Sequence, residues 1–216
     1  ALAWRTWVSN RRNPVNIYFA LAILMAALWT VGLLLYNVIN DGYWLSIMSK
    51  FIYVVVSFIL LFFYLFTYYF PYTTTKLSMK QSILLAVFFI FIIAVITLPN
   101  VFVPEYLDLA TKDKFPLNPF WHFVFAFYFI IMTLFSFRNL FFKYKQSDGV
   151  WRTRVRQVII STAVALVGGG LLNIVFPLIT GRFFFNGNIA PIFTVFMAAY
   201  IWYHIFWVPN RAPKYS

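Results

Sequence analysis

Six apolar runs, each close to 20 residues long and each free of Asp and Glu, constrain this chain more than any other feature. They cover residues 16–39, 47–70, 82–98, 120–142, 158–179 and 189–207. About 20 such residues in helical conformation cross a hydrocarbon layer of about 30 Å. Inside that layer every backbone N–H and C=O must find its partner within the chain, which a helix does locally. With 63% hydrophobic and 10% charged residues and a mean hydropathy of +0.82, an ordinary soluble domain is excluded. The fold expected is an all-α, polytopic transmembrane helix bundle with six complete spans. Before it, residues 1–15 mix Trp4 and Trp7 with Arg5, Arg11 and Arg12, the composition of an inner interfacial segment. Residues 208–216 read as a cytoplasmic tail. The first residue is Ala, not Met, so an upstream segment is expected, with 1–8 as the inner end of a preceding span.

The orientation of the spans follows from charge. Lys143, Lys145, Arg152, Arg154 and Arg156 fall between the fourth and fifth runs, and Lys and Arg are retained on the cytoplasmic side during insertion. With this basic loop placed inside, the inner segments hold Arg5, Arg11, Arg12, Lys76, Lys80, Arg138, Arg211 and Lys214 as well, leaving Lys50, Lys112, Lys114 and Arg182 outside. Four of the five acids lie on that outer side: Asp41, Glu105, Asp108 and Asp113. A multi-pass protein of the bacterial cytoplasmic membrane with both visible ends cytoplasmic is expected. The net charge of +12 is explained by retention and by anionic lipid head groups at the inner basic loop, not by nucleic acid.

The spans lack the buried Asp or Glu through which pumps and cation-coupled carriers usually work. His122 and His204 would be the natural pair for a haem or metal. However, the first stands near the outer start of the fourth span and the second near the inner end of the sixth, about 20 Å apart in depth. Both read as members of interfacial aromatic belts, and single-histidine ligation of a pigment or haem is the alternative. No cofactor and no metal site is expected. Without Cys there are no disulfides or thiolate ligands, and no catalytic constellation is visible, so the residues present are not read as an enzyme.

Two stretches carry candidate sites. In the fifth span, Gly168, Gly169 and Gly170 allow close helix approach, and Pro177 frees the carbonyl of Asn173. This combination is either a small polar notch, serving as a ligand site or hinge, or a seat for bulky Phe side chains of a neighbour. In the long outer loop, Glu105, Tyr106 and Asp108 are exposed candidates, and Pro104-Glu105 has the Pro-then-acid start of a short interfacial helix.

Several motifs resemble a known family. Asn13-Pro14-Val15-Asn16 with Phe19, Trp29-Thr30-Val31-Gly32, and the Pro-terminated Phe66 to Pro71 are three of them. Arg154-Val155-Arg156-Gln157 followed by Gly168, Gly169, Asn173 and Pro177, and Ala190-Pro191-Ile192 through Ala199-Tyr200 to His204-Ile205-Phe206, are the others. Together they are similar to the N-terminal seven-transmembrane sensor region of bacterial histidine kinases. The resemblance implies seven helices with the N-terminus outside, of which the last six are complete here. It also implies that an unidentified signal is passed through the last helix to a cytoplasmic output domain. The residues present include no phosphoacceptor-His segment and no ATP-binding domain, so the expectation is either that an output domain lies outside them or that this is a stand-alone bundle with another role. The tail carries Pro209 and Pro213, and Pro209 would interrupt an output helix.

A membrane sensor or receptor region is therefore the first functional reading, with a homodimer or a larger membrane complex as its setting. A non-catalytic accessory subunit contacting lipid, pigment or partner helices is the second. A transporter of neutral or anionic solutes is the third.

Overall fold

The computed structural model describes residues 2–71, 77–109, 117–175, 179–180 and 190–207. Helix α1 (Leu2–Ser9) is followed by four long apolar helices, α2 (Pro14–Val38), α3 (Gly42–Tyr69), α4 (Met79–Thr97) and α5 (Pro119–Gln146), each long enough to cross a membrane. The last two runs begin as α-helices, α6 (Gly149–Ala165) and α7 (Ala190–Trp202). Each then widens into π-helical turns, over Leu166–Val175 and Tyr203–Trp207 respectively. The fold is the all-α membrane bundle expected, and the described residues contain no strand.

The long helices start where their own sequence supplies a cap. The first N–H groups of a helix have no partner within it, so a side-chain oxygen just before the first turn is favourable. Asn13 accepts from the N–H of Val15 at 2.9 Å, with Pro14 in the first turn. Asp41 accepts from Tyr43 and Trp44, both at 3.0 Å. Ser78 and Gln81 exchange bonds in a capping box, and Asn118, ahead of Pro119, accepts from Phe120 at 3.1 Å.

Helix α3 is central, packing against α2, α4 and α5, while α7 lies between α6 and α2. The helix ends divide into two sets. The starts of α2, α4 and α6 and the ends of α3, α5 and α7 form what we call the basic end; the remaining termini form the cap end. Aromatic clusters fill both. Near the cap end Tyr53, Phe102, Phe125 and Tyr128 are buried together, and near the basic end Phe19, Phe66, Phe70 and Leu140 are. Between them Tyr128 Oη donates to the Ser57 carbonyl at 3.1 Å, tying α5 to α3. The hydroxyls of Ser49, Ser57 and Ser136 return to carbonyls of their own helices one turn back, which satisfies them inside an apolar bundle.

Helix α4 is attached differently. Its fully buried residues, Ile92, Val95 and Ile96, all lie toward the cap end, while the half nearer the basic end is more exposed and touches the core through the half-buried Leu85 and Phe88.

The basic segment is not a loop. Lys143 and Lys145 lie in the last turn of α5, Arg152, Arg154 and Arg156 lie in the first turns of α6, and only Ser147 and Asp148 separate the two helices. Gly149 takes a φ of +54°, which reverses the chain within this short break.

Candidate functional site

At the cap end the chain after α4 folds back as a strap. Asn100, at φ 55°, turns it, and its side-chain oxygen accepts from the N–H of Glu105 at 2.9 Å. Phe102 and Val103 then point inward and are fully buried; the Phe102 ring lies 4.8 Å from that of Tyr53, and its carbonyl accepts from Asn118 N–H at 3.1 Å. The strap crosses the start of α3, where Ser46 Oγ donates to the Pro104 carbonyl and Leu107 N–H donates to the Gly42 carbonyl at 3.1 Å. A Cβ on Gly42 would overlap both the Leu107 carbonyl oxygen and the Tyr106 ring, so this close crossing needs a glycine.

The interfacial helix expected from Pro104-Glu105 does not form; residues 101–108 are turns and bends. Burying Phe102, Val103 and Leu107 against α3 and α5 stabilises an irregular path that a solvent-facing helix would forfeit. Glu105, Tyr106 and Asp108 lie on the exposed side of this strap. Beneath it, His122 is fully buried, 5.7 Å edge-on from Tyr53 and 6.2 Å from Phe102. The belt position expected for His122 is therefore wrong: the strap roofs the first turn of α5 and encloses the imidazole. Gly42, Ser46 and Asn100 were not singled out by sequence reasoning. The Asp41-Gly42 pair was the available signal, and it reads equally well as an ordinary break.

In the fifth run the three glycines are buried within the π-helical turns. Added Cβ atoms would overlap the Phe193 ring of α7 at Gly168 and the Phe129 ring of α5 at Gly170. These glycines thus receive Phe rings from both neighbouring helices. Asn173 belongs to the π-helical stretch; its side chain, and all of Pro177, lie outside the described residues, as do Lys76, Lys112, Asp113, Lys114, Arg182 and the tail.

At the basic end, Lys143 is half-buried and its Nζ donates to three carbonyls at the end of α3: Thr67 at 2.9 Å, Tyr68 and Phe70. The last carbonyls of a helix have no N–H partner within it, and an ammonium placed there also complements the negative end of the helix dipole. Two arginines lie over aromatic faces, Arg152 at 4.9 Å from Tyr144 and Arg154 at 4.6 Å from Trp151, where cation–π attraction holds them at the interface. Lys145 and Arg156 are exposed. His204 is at this same end, far from His122. The amide Nε2 of Gln157 lies 3.2 Å from His204 Nδ1. This contact joins the first turns of α6 to the last turns of the bundle, a pairing across 47 positions that spacing in the sequence does not reveal.

Comparison with known families adds one finding. The model for the N-terminal 7TM region of histidine kinase matches residues 1–209. The chain belongs to this family. No curated protein and no solved structure matches it. As a histidine-kinase 7TM region it is a multi-pass membrane sensor domain of a two-component system. Within the 7TM region, the strap, the glycine seam and the basic end are places where helices and chain segments make close contact.

Proposed function

We propose that this region lies in a bacterial cytoplasmic membrane with its cap end outside and its basic end in the cytoplasm. It reads a signal at the strap and passes the change to a cytoplasmic kinase output domain. The observation that supports this most directly is that one helix, α3, is clasped at both ends. The strap holds its start through Gly42 and Ser46, and Lys143 of α5 holds its end. A rigid helix fixed in this way carries a displacement of the strap across the whole bilayer. Glu105, Tyr106 and Asp108 offer the exposed charged and hydrogen-bonding groups that a signal molecule would meet. The glycine seam at Gly168, Gly169 and Gly170, with Asn173 and Pro177 further along, lets α6 and α7 shift against each other. The contact between Gln157 and His204 then links that shift to the last helix. Lys145, Arg152, Arg154 and Arg156 face anionic head groups of the inner leaflet.

The test uses a full-length kinase carrying this region, reconstituted in vesicles. In Gly42→Ala the new methyl lifts the strap off α3. Hydrogen exchange of residues 101–109 rises, and autophosphorylation no longer responds to the stimulus while its basal level persists. A normal response with the strap displaced would overturn the reading.

Orientation is checked separately with single cysteines at Glu105 and Arg156 in intact cells. The first reacts with an impermeant maleimide and the second does so only after lysis; the opposite pattern would invert the bundle.

A further inference from the structure

Between α3 and the more exposed half of α4 lies a crevice of about 340 Å³. Leu61 and Leu65 of α3 form one wall, and Leu85, Ala86, Phe89 and Ile90 of α4 form the other, with Ser82 near the mouth. We propose that this crevice binds one acyl chain of a phospholipid from the leaflet at the basic end, with Lys80 meeting the lipid phosphate. The proposal rests on the bundle crossing a membrane and is independent of the sensor reading.

Several observations select this occupant. All the side chains of the walls are apolar except Ser82, and the site lies along a membrane-crossing helix, so hydrocarbon and not water is the medium at its opening. From Ser82 to Ile90 the crevice follows α4 for about 12 Å, which matches the depth of one leaflet's hydrocarbon, about 15 Å. The length of the crevice is that of an acyl chain within one leaflet, and its walls offer such a chain apolar contact throughout. At the mouth, Lys80 is exposed in the first turn of α4, at the level where head groups lie, and an ammonium there is complementary to phosphate. The fully buried residues of α4, Ile92, Val95 and Ile96, lie in its cap-end half, and the rings of Phe58 and Phe89 meet at 4.9 Å, so α3 and α4 are in contact at the mid-bilayer end of the crevice.

The probe is a phosphatidylglycerol carrying a photoreactive diazirine midway along one chain, diluted into phosphatidylcholine vesicles that contain the unmodified protein. Adducts mapped by mass spectrometry should concentrate on 61–65 and 82–90 and should saturate as the probe fraction rises, whereas lipid-facing positions of α5 such as Phe127 and Leu134 are labelled in simple proportion. Ala86→Trp fills the crevice. Because losing the contact of even two methylenes is worth about tenfold in occupancy, labelling of 82–90 should fall by about that factor with α5 unchanged. Lys80→Gln should bring the phosphatidylglycerol labelling down to that of an equally labelled phosphatidylcholine. Labelling of 82–90 that rises without saturation, or that survives Ala86→Trp, would mean ordinary boundary lipid and sink the proposal. A cross-link joining two copies through this groove would sink it as well. Equal labelling of the two lipids in the unmodified protein would remove Lys80 from the site. Saturation is measured on the unmodified chain, so the outcome stands even if Ala86→Trp fails to fold.

Discussion

Lys143→Met should lower the stability of the purified region by about 3 kcal/mol, read as thermal unfolding in detergent. One ammonium serves the carbonyls of Thr67, Tyr68 and Phe70. A hydrogen bond to a charged group contributes about 1.5–3 kcal/mol, and unsatisfied carbonyls add a desolvation cost. Three bonds sharing one cation do not add fully, which keeps the expected loss near 3 rather than a multiple of it. Lys145→Met is the control. It removes the same charge from the same turn, but its side chain is exposed, so stability should change by less than about 0.5 kcal/mol. Lys143→Arg should recover only part of the loss, because a planar guanidinium directs its donors along a fork and cannot converge on three carbonyls of one helix end. Equal stability of Lys143→Met and Lys145→Met would show that the contact between α3 and α5 contributes nothing to the fold.

Gly168→Leu should cost a similar amount, about 3 kcal/mol, since even its Cβ would overlap the Phe193 ring and overpacking of a close contact costs about 1–3 kcal/mol or more. The informative comparison is the double variant. Phe193→Ala alone removes a half-buried ring and is destabilising, yet in Gly168→Leu it should be stabilising, because the shortened side chain makes room for the leucine. Melting temperatures of the four proteins give a coupling energy, which for contacting residues reaches about 0.5–3 kcal/mol. A coupling near zero would separate Gly168 from Phe193 energetically. If Gly168→Leu instead kept its full stability while the full-length kinase lost its response, the glycines would be a ligand notch and not a packing seam.

The features legible from the sequence share a local origin. Apolar runs announce the spans because lipid penalises any charged residue within them, and the helix starts follow from short polar signatures: Asn13-Pro14, Asp41 before Gly42, Ser78 with Gln81, and Asn118-Pro119. Each signature acts within four residues, so one sequence suffices to find it. The family motifs likewise led to the 7TM regions of histidine kinases, which the match over 1–209 shows. What the sequence hid depends on distant partners. Pro104-Glu105 has the local chemistry of a helix start, but Phe102 and Val103 gain more by burial against Tyr53 and Phe125, and the strap results. His122 looked interfacial because its chain neighbours Phe120 and Trp121 are interfacial types; the strap that covers it comes from an earlier segment. The basic cluster read as a loop because it falls between two apolar runs, whereas α5 and α6 continue beyond those runs and are separated only by Ser147 and Asp148. The π-helical widening at Leu166–Val175 has no simple signature either, since three glycines permit many backbone paths.

The caps also bear on how the bundle is made. Helices α2, α3, α4 and α5 each carry the residue that finishes their own start, so each can settle as it leaves the ribosome. The far end of α3 cannot, because the side chain that completes it lies 76 positions beyond Thr67. Until the last turn of α5 is made, water at the membrane surface serves those carbonyls, and a single lysine then replaces it and joins α3 to α5.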